Sequence, residues 1–246
     1  MHCGNVKFYV ILSGKGGVGK STVSSALACH LSNEKTLLID FDLCGPSLQK
    51  CFGVKGKLRK IGNAFTPLKI SENLHLLSFG NILDEKDVLI WRGAKKRIFF
   101  EYFLNAAFLK NEENFVYKNV VIDTPPGISE EHNFLAEQKI PYNIIFVTTS
   151  QNIALSDTIT AIEFAKKNNF TMVGIIQNMS YMFCECCNEK IFIYGKNGGE
   201  LLANEYDLCF LGEIEMNKEM LESVEREDFM NFYKTTNIFD NVFKEV

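Results

Sequence analysis

The 246 residues are 46% hydrophobic and 23% charged, with 26 Lys and Arg against 30 Asp and Glu and a formal net charge of −4. This composition fits one large α/β domain over 1–246, and the charge balance leaves no electrostatic footprint for nucleic acid or an anionic membrane. No apolar run reaches the roughly 18 residues that a membrane-spanning helix needs.

"MHCGNVKFYVILSGKGG" lacks the basic region and cleavage site of a secretory signal and the Arg/Ser content of a transit peptide. The eight cysteines are therefore expected to be free thiols or metal ligands in a reducing, cytoplasmic compartment. Short apolar runs then alternate with helical patterns, the signature of a mostly parallel sheet of seven or eight strands with helices on both faces, in three layers. Strands are predicted over 6–12, 36–40, 74–78, 120–123, 144–148, 172–177 and 209–211. Helices are predicted over 20–33, 94–109, 129–138, 153–168 and 217–226. Runs such as "NIIFV" and "MVGII" suit strands covered on both faces. The aromatic run "IFFEYF" (98–103) reads as helix core, Cys29 and Cys209 as buried hydrophobes, and "NIFDNVFKEV" (237–246) as a packing or partner surface. Cys3 and Cys51 carry no usable spacing. Residues 179–199 have no convincing helix or long strand, and inserted loops of that length are usually functional or disordered.

The first strand runs into "SGKGGVGKST" (13–22), which satisfies G-x-x-x-x-G-K-S/T from Gly14 to Ser21. Following a strand and opening a helix is the context that supports a phosphate loop. Gly14, Gly16, Gly17 and Gly19 let the backbone through Val18 curl, so that N–H groups face phosphate oxygens at a helix N-terminus. Lys20 neutralises the β- and γ-phosphates, the Ser21 hydroxyl is a Mg²⁺ ligand, and Thr22 completes the loop. Asp40 and Asp42 in "LLIDFDLCGPS", and Asp123 in "VVIDTPPG", end further strands, where parallel sheets bind nucleotides. The guanine-reading N-K-x-D pattern is missing, since "NKEM" (217–220) lacks the Asp, which favours ATP.

Lys15, a second lysine inside the loop, resembles the deviant Walker A group of dimeric ATPases that includes MinD, ParA and nitrogenase iron protein. The resemblance implies an ATP-dependent dimer in which Lys15 reaches the partner's nucleotide. It also implies that Asp42 orients or deprotonates the attacking water, that Asp123 holds Mg²⁺ through a water with Asp40 supporting the site, and that Asn178 contacts adenine.

"MFCECCNEK" (182–190) offers the C-x-x-C pair Cys184 and Cys187, with Cys186 between. Structural zinc and cluster iron take four protein ligands, no second C-x-x-C exists, and His2, His30, His75 and His132 have no paired ligand spacing. One chain therefore supplies half a site, which a two-fold dimer would complete. A metal, a redox pair and incidental cysteines all remain open on spacing alone.

"GKGGVGKST", "DFDLCGPS", "WRG" (91–93), "DTPPG", "VTTSQNIALSD" (147–157), "NMSYMFCECC" (178–187) and "GGELLA" (198–203) together resemble the Mrp/NBP family of iron–sulfur cluster assembly ATPases, in that family's order and spacing. The resemblance implies a dimeric scaffold that binds and slowly hydrolyses ATP with Mg²⁺. It would assemble a labile 4Fe–4S cluster on Cys184 and Cys187 of two subunits and pass it to apoproteins alongside other assembly factors. With only Cys3 before the phosphate loop, the chain is most similar to the short eukaryotic type, as a homodimer or as a heterodimer with a longer Mrp/NBP subunit. The "LGEIEMN" stretch (211–217) departs from the family's usual "LGxIPLD". The competing readings are a MinD/ParA-like positioning ATPase, which leaves the cysteines unemployed, and a zinc-bridged structural dimer.

Overall fold

The strand segments are apolar nearly end to end, and in the computed structural model, which describes residues 6–82, 94–108, 117–244 and 246, they form the middle layer of three. The first half contains β1 (Lys7–Leu12), α1 (Lys20–His30), β2 (Thr36–Asp40), α2 (Leu48–Cys51), β3 (Arg59–Ile61), β4 (Ala64–Thr66), β5 (Leu68–Lys69), β6 (Leu74–Ser78) and α3 (Ala94–Ala106). Next come β7 (Asn119–Asp123), α4 (Glu130–Glu137), β8 (Tyr142–Thr148), α5 (Asn152–Lys167) and β9 (Thr171–Gln177). The chain ends with β10 (Met182–Phe183), β11 (Lys190–Ile191), α6 (Gly198–Glu205), β12 (Phe210–Glu213), α7 (Lys218–Glu225) and α8 (Phe229–Thr235).

Among the described residues, eight strands make the sheet in the order β12-β9-β8-β1-β7-β2-β6-β5. Neighbours are parallel except β5, which runs antiparallel to β6. Alternate residues of each strand feed opposite faces. On one face Phe8, Val10, Leu12, Val120 and Ile122 pack under α3, α4, α5 and α6. On the other, Tyr9, Ile11, Leu38 and Val121 pack under α1, α7 and α8.

The aromatic run over 98–103 is core at Phe100 and Phe103, with Phe99 and Tyr102 partly buried against it and Ile98 exposed. Phe103 stacks on Phe79 with ring centres 4.6 Å apart, and Phe100 lies 5.0 Å from Phe41. The C-terminal stretch packs as well, burying Phe239, Val242 and Phe243 against α1 and its neighbours.

Several expectations need correction. Cys29 is buried but Cys209 is exposed, because it precedes β12, which among the described residues pairs with β9 alone, at the edge of the sheet. Residues 179–199 are not irregular throughout: β10 and β11 form a small antiparallel hairpin, and α6 begins at Gly198. The last strand runs over Phe210–Glu213 rather than 209–211. The short elements α2, β3, β4, β5 and α8 escaped the sequence reading, being too brief to show a period. The "WRG" motif, Cys3 and residue 109 lie outside the described residues.

Candidate nucleotide and metal sites

The phosphate loop leaves β1 at the carboxyl end of the sheet and enters α1. Gly17 and Gly19 hold φ of 81° and 83°, a left-handed backbone that side chains disfavour. Gly14 is needed for a different reason. A Cβ there would lie 2.0 Å from the backbone carbon of Asp157 on α5, so the loop is wedged against that helix. Gly127 of the "DTPPG" turn donates its N–H to the Ser13 carbonyl at 2.9 Å, which sets that turn beside the loop.

Asp123, at the end of β7, gathers the loop's functional groups. Its Oδ1 accepts from the Lys20 ammonium and the Ser24 hydroxyl, both at 2.8 Å, and its Oδ2 accepts from the Ser21 hydroxyl at 2.7 Å. The ion pair is almost fully enclosed, with side-chain exposures of 7% for Lys20 and 1% for Asp123. A carboxylate in this position orients the two residues that a nucleotide and its magnesium ion would engage. Ser24 was missed in the sequence. Its position, one helical turn beyond Ser21, was the available signal.

Asp40 and Asp42 take separate tasks. Asp40 lies opposite Asp123 in the register of β2 and β7 and is fully buried. Its Oδ1 accepts from the Asp42 N–H at 3.1 Å. Its Oδ2 accepts from the Ser47 and Leu48 N–H groups at 3.2 and 3.3 Å and from the Ser78 hydroxyl at 2.9 Å. Burial first, and the Asp123 carboxylate second, push its pKa up to about 7. Asp40 therefore ties down the loop over 42–48. Asp42, half-buried, closes a turn by accepting the N–H groups of Cys44 and Gly45. The Lys15 side chain makes no hydrogen bond or ion pair among the described residues, while its carbonyl accepts from the Ser13 hydroxyl at 3.1 Å.

Asn178 follows β9 and meets the loop directly. Its Nδ2 donates to the Val18 carbonyl at 2.9 Å, and its Oδ1 is buried with no partner among the described residues. A buried, unpaired amide oxygen is costly, so a donor from a ligand would suit it. The donor set here fits a nucleotide: backbone amides and Lys20 for phosphates, Ser21 and Asp123 for a hydrated cation, Asn178 for an amino group on a base.

The cysteine hairpin lies beyond β9. Cys184 is half-buried, whereas Cys186 and Cys187 are exposed; none of the described cysteines is in a disulfide. The Cys184 N–H donates to the Glu189 carbonyl, and Asn188, at a φ of 58°, donates back to the Cys184 carbonyl, both at 2.9 Å. This turn aims backbone N–H groups, that of Cys187 first and Cys186 next, at the Cys184 sulfur, which holds its thiol below the ordinary value. Such a turn favours a thiolate, the form that binds metal. By contrast, burial raises Cys51 to about 12 and makes it a poor ligand. Among the described residues, no group of three or more His, Cys, Asp or Glu is placed to hold a metal ion. The described helices include none long and apolar enough to cross a membrane.

A family model described as an iron-transfer P-loop NTPase of the NUBPL type, within ParA, matches residues 5–246. The chain is 37% identical to the cytosolic Fe-S cluster assembly factor CFD1 of Debaryomyces hansenii, over 91% of this chain and 82% of that protein. It is 38% identical to the cytosolic Fe-S cluster assembly factor NUBP2 homolog of Trichoplax adhaerens, over 90% and 86%. Among solved structures, the ADP-bound nucleotide-binding protein of Archaeoglobus fulgidus superposes with a TM-score of 0.74 at 24% identity, covering 97% of this chain and 93% of that one. The septum site-determining protein MinD of Pyrococcus horikoshii, complexed with Mg-ADP, gives 0.68 at 21%, covering 98% and 93%. At those identities the likeness is one of fold.

Proposed function

Because the chain belongs to the NUBPL iron-transfer family of P-loop NTPases, we propose that it is an ATP-dependent scaffold for iron–sulfur cluster assembly in the cytosol. Two copies, or one copy with a longer relative, hold a labile 4Fe–4S cluster between the Cys184 and Cys187 thiolates of each and pass it to apoproteins. The cluster is cargo rather than a resident group. Nucleotide hydrolysis belongs to the family; its coupling to assembly or transfer is part of this proposal.

One observation carries the reading: the hairpin turn leaves Cys184 half-buried and Cys187 exposed, both as free thiols, while no chain-internal group supplies further ligands among the described residues. Four ligands are needed, so the pair suits a site closed by a second subunit. In the nucleotide site, Lys20 and the loop amides offset phosphate charge, Asn178 receives the base, and Ser21 with Asp123 holds the hydrated magnesium ion. Asp42 orients water, and Lys15, whose side chain has no partner among the described residues, is available to a nucleotide across the interface. Catalysis of this kind is positioning and charge stabilisation. The MinD/ParA-like positioning reading has only the fold in its favour, since it gives the hairpin no task.

Anaerobic reconstitution with iron and sulfide tests the proposal. We expect a coloured dimer whose visible absorption and iron content are lost in Cys184→Ser and Cys187→Ser but kept in Cys186→Ser. A colourless protein that holds only zinc would favour the structural dimer. A cluster fully held by a monomer would overturn the shared site.

A further inference from the structure

We propose that Lys190 is a positioning residue for the cysteine pair, the last member of a strut that carries the state of the phosphate loop to the hairpin within one chain. The idea rests on the nucleotide reading above and adds a route to it.

The strut begins where the Asn178 amide donates to the Val18 carbonyl inside the phosphate loop. The fit is tight, since a Cβ on Gly19 would lie 2.0 Å from Asn178 Nδ2. Asn178 therefore cannot shift without the loop, and its Oδ1, unpartnered among the described residues, is where a base would pull on it.

From Asn178 the chain passes Met179, at a φ of 52°, and is tied twice to the segment after β12. Ser180 donates its N–H to the Ile214 carbonyl at 2.9 Å, and Met216 donates to the Tyr181 carbonyl at 2.7 Å. Ile214 in turn donates to the Gln177 carbonyl at 2.8 Å. The buried Gln177 side chain bonds the Ser180 hydroxyl and accepts the Gly199 N–H at the start of α6. Residues 177–181 and 214–216 thus move as one body.

Lys190 joins that body to the hairpin. Its ammonium lies 3.2 Å from Glu213 on β12 and 3.6 Å from the centre of the Tyr181 ring. In the hairpin it pairs with Phe183, beside the Cys184 N–H that donates to Glu189. A two-stranded hairpin of this length has little stability of its own. Its orientation depends on what grips it, and Lys190 grips it on the strut side.

Amide hydrogen exchange of the full-length, metal-free protein, with and without MgADP, tests the strut. ADP suffices because the link runs through the base, and omitting the terminal phosphate avoids the contact expected of Lys15 with a partner. We expect ADP to slow exchange over 13–22 and, by about fivefold, over 182–191. Lys190→Met should keep the protection of 13–22 and lose the ADP-dependent change at the hairpin. Lys190→Arg should regain part of it, because a guanidinium also pairs with Glu213 and stacks on Tyr181. A lysine that only stabilised the hairpin would alter exchange equally with and without ADP. The strut is overturned if 13–22 is protected while the wild-type hairpin is unchanged, or if Lys190→Met responds like wild type. No protection at 13–22 would remove the nucleotide reading itself and the strut with it, whereas failure of iron binding in the reconstitution would leave the strut standing.

Discussion

The phosphate loop and the cysteine hairpin are both short glycine- or cysteine-rich turns, yet they are held in opposite ways. The loop is clamped: Lys20, Ser21 and Ser24 converge on one buried carboxylate, and Gly14 abuts the backbone of α5. The hairpin has two residues per strand, with Phe183 and Ile191 about two-fifths exposed and two of its cysteines in solvent. A site completed within its own chain can be rigid before its ligand arrives. A site that supplies only part of a ligand set must stay open on the side where the rest enters.

Removing Lys20 is the sharpest way to break the contrast, because the clamp then loses its cation. Lys20→Ala strands Asp123 in the interior with only serine hydroxyls. Breaking one partner of an enclosed pair costs on the order of 3 kcal/mol, so chemical denaturation should show a large loss. ATP turnover should fall about 10²-fold or more, the scale of losing a principal charge-stabilising group. Wild-type turnover would refute the role given to this lysine.

Gly14→Ala tests the wedge without touching charge. The added methyl meets backbone rather than a flexible side chain, and overpacking of this sort costs about 1–3 kcal/mol. Melting should drop accordingly, and an unchanged melt would mean that α5 and the loop separate easily.

Asp40 gives the clamp a pH signature. Its folded pKa, near 7, stands above the ordinary 3.8. Below about pH 4 the carboxyl is neutral in both states. Between about 4 and 7 only the unfolded chain ionises, so the folded state loses this contribution as pH rises, with no further change above 7. His132 runs the other way across the same window, since burial lowers its pKa to about 4. The Asp40 share is therefore read by difference: the melting temperature of Asp40→Asn should gain on wild type between pH 5 and pH 8, by roughly 2–4 °C per kcal/mol at this chain size. A constant difference would count against a neutral Asp40 in the fold.

The sequence displayed the clamp and the sheet more clearly than the hairpin, for physical reasons. Buried parallel strands are apolar throughout, and a phosphate loop requires glycines and a lysine at fixed positions, so both leave local marks. The tie between Asp123 and Ser24 spans 99 residues, and the one between Asn178 and Val18 spans 160; neither writes a periodic pattern. Cys209 looked buried in "LCFLG" because edge and central strands share a composition, and only pairing distinguishes them. The hairpin turn is closed by backbone bonds between Cys184 and Glu189 and between Asn188 and Cys184, to which side-chain spacing is blind. Asp40 was expected only to support the site, and its bonds, which run to the 42–48 backbone and Ser78, follow from tertiary contacts that no spacing announces.

The smallest expected effect sharpens the comparison most. If the hairpin is open for a partner's ligands and contributes little to its own chain's core, the double variant Cys184→Ser, Cys187→Ser should leave the metal-free protein almost untouched. Both positions lie on the turn, and neither thiol belongs to the buried clusters. Surface changes of this kind fall within about 0.5 kcal/mol, so the denaturation midpoint should match wild type while bound iron disappears. A marked loss of stability without metal would show that the thiols support the fold itself, and the hairpin would then resemble the phosphate loop in being finished within one chain.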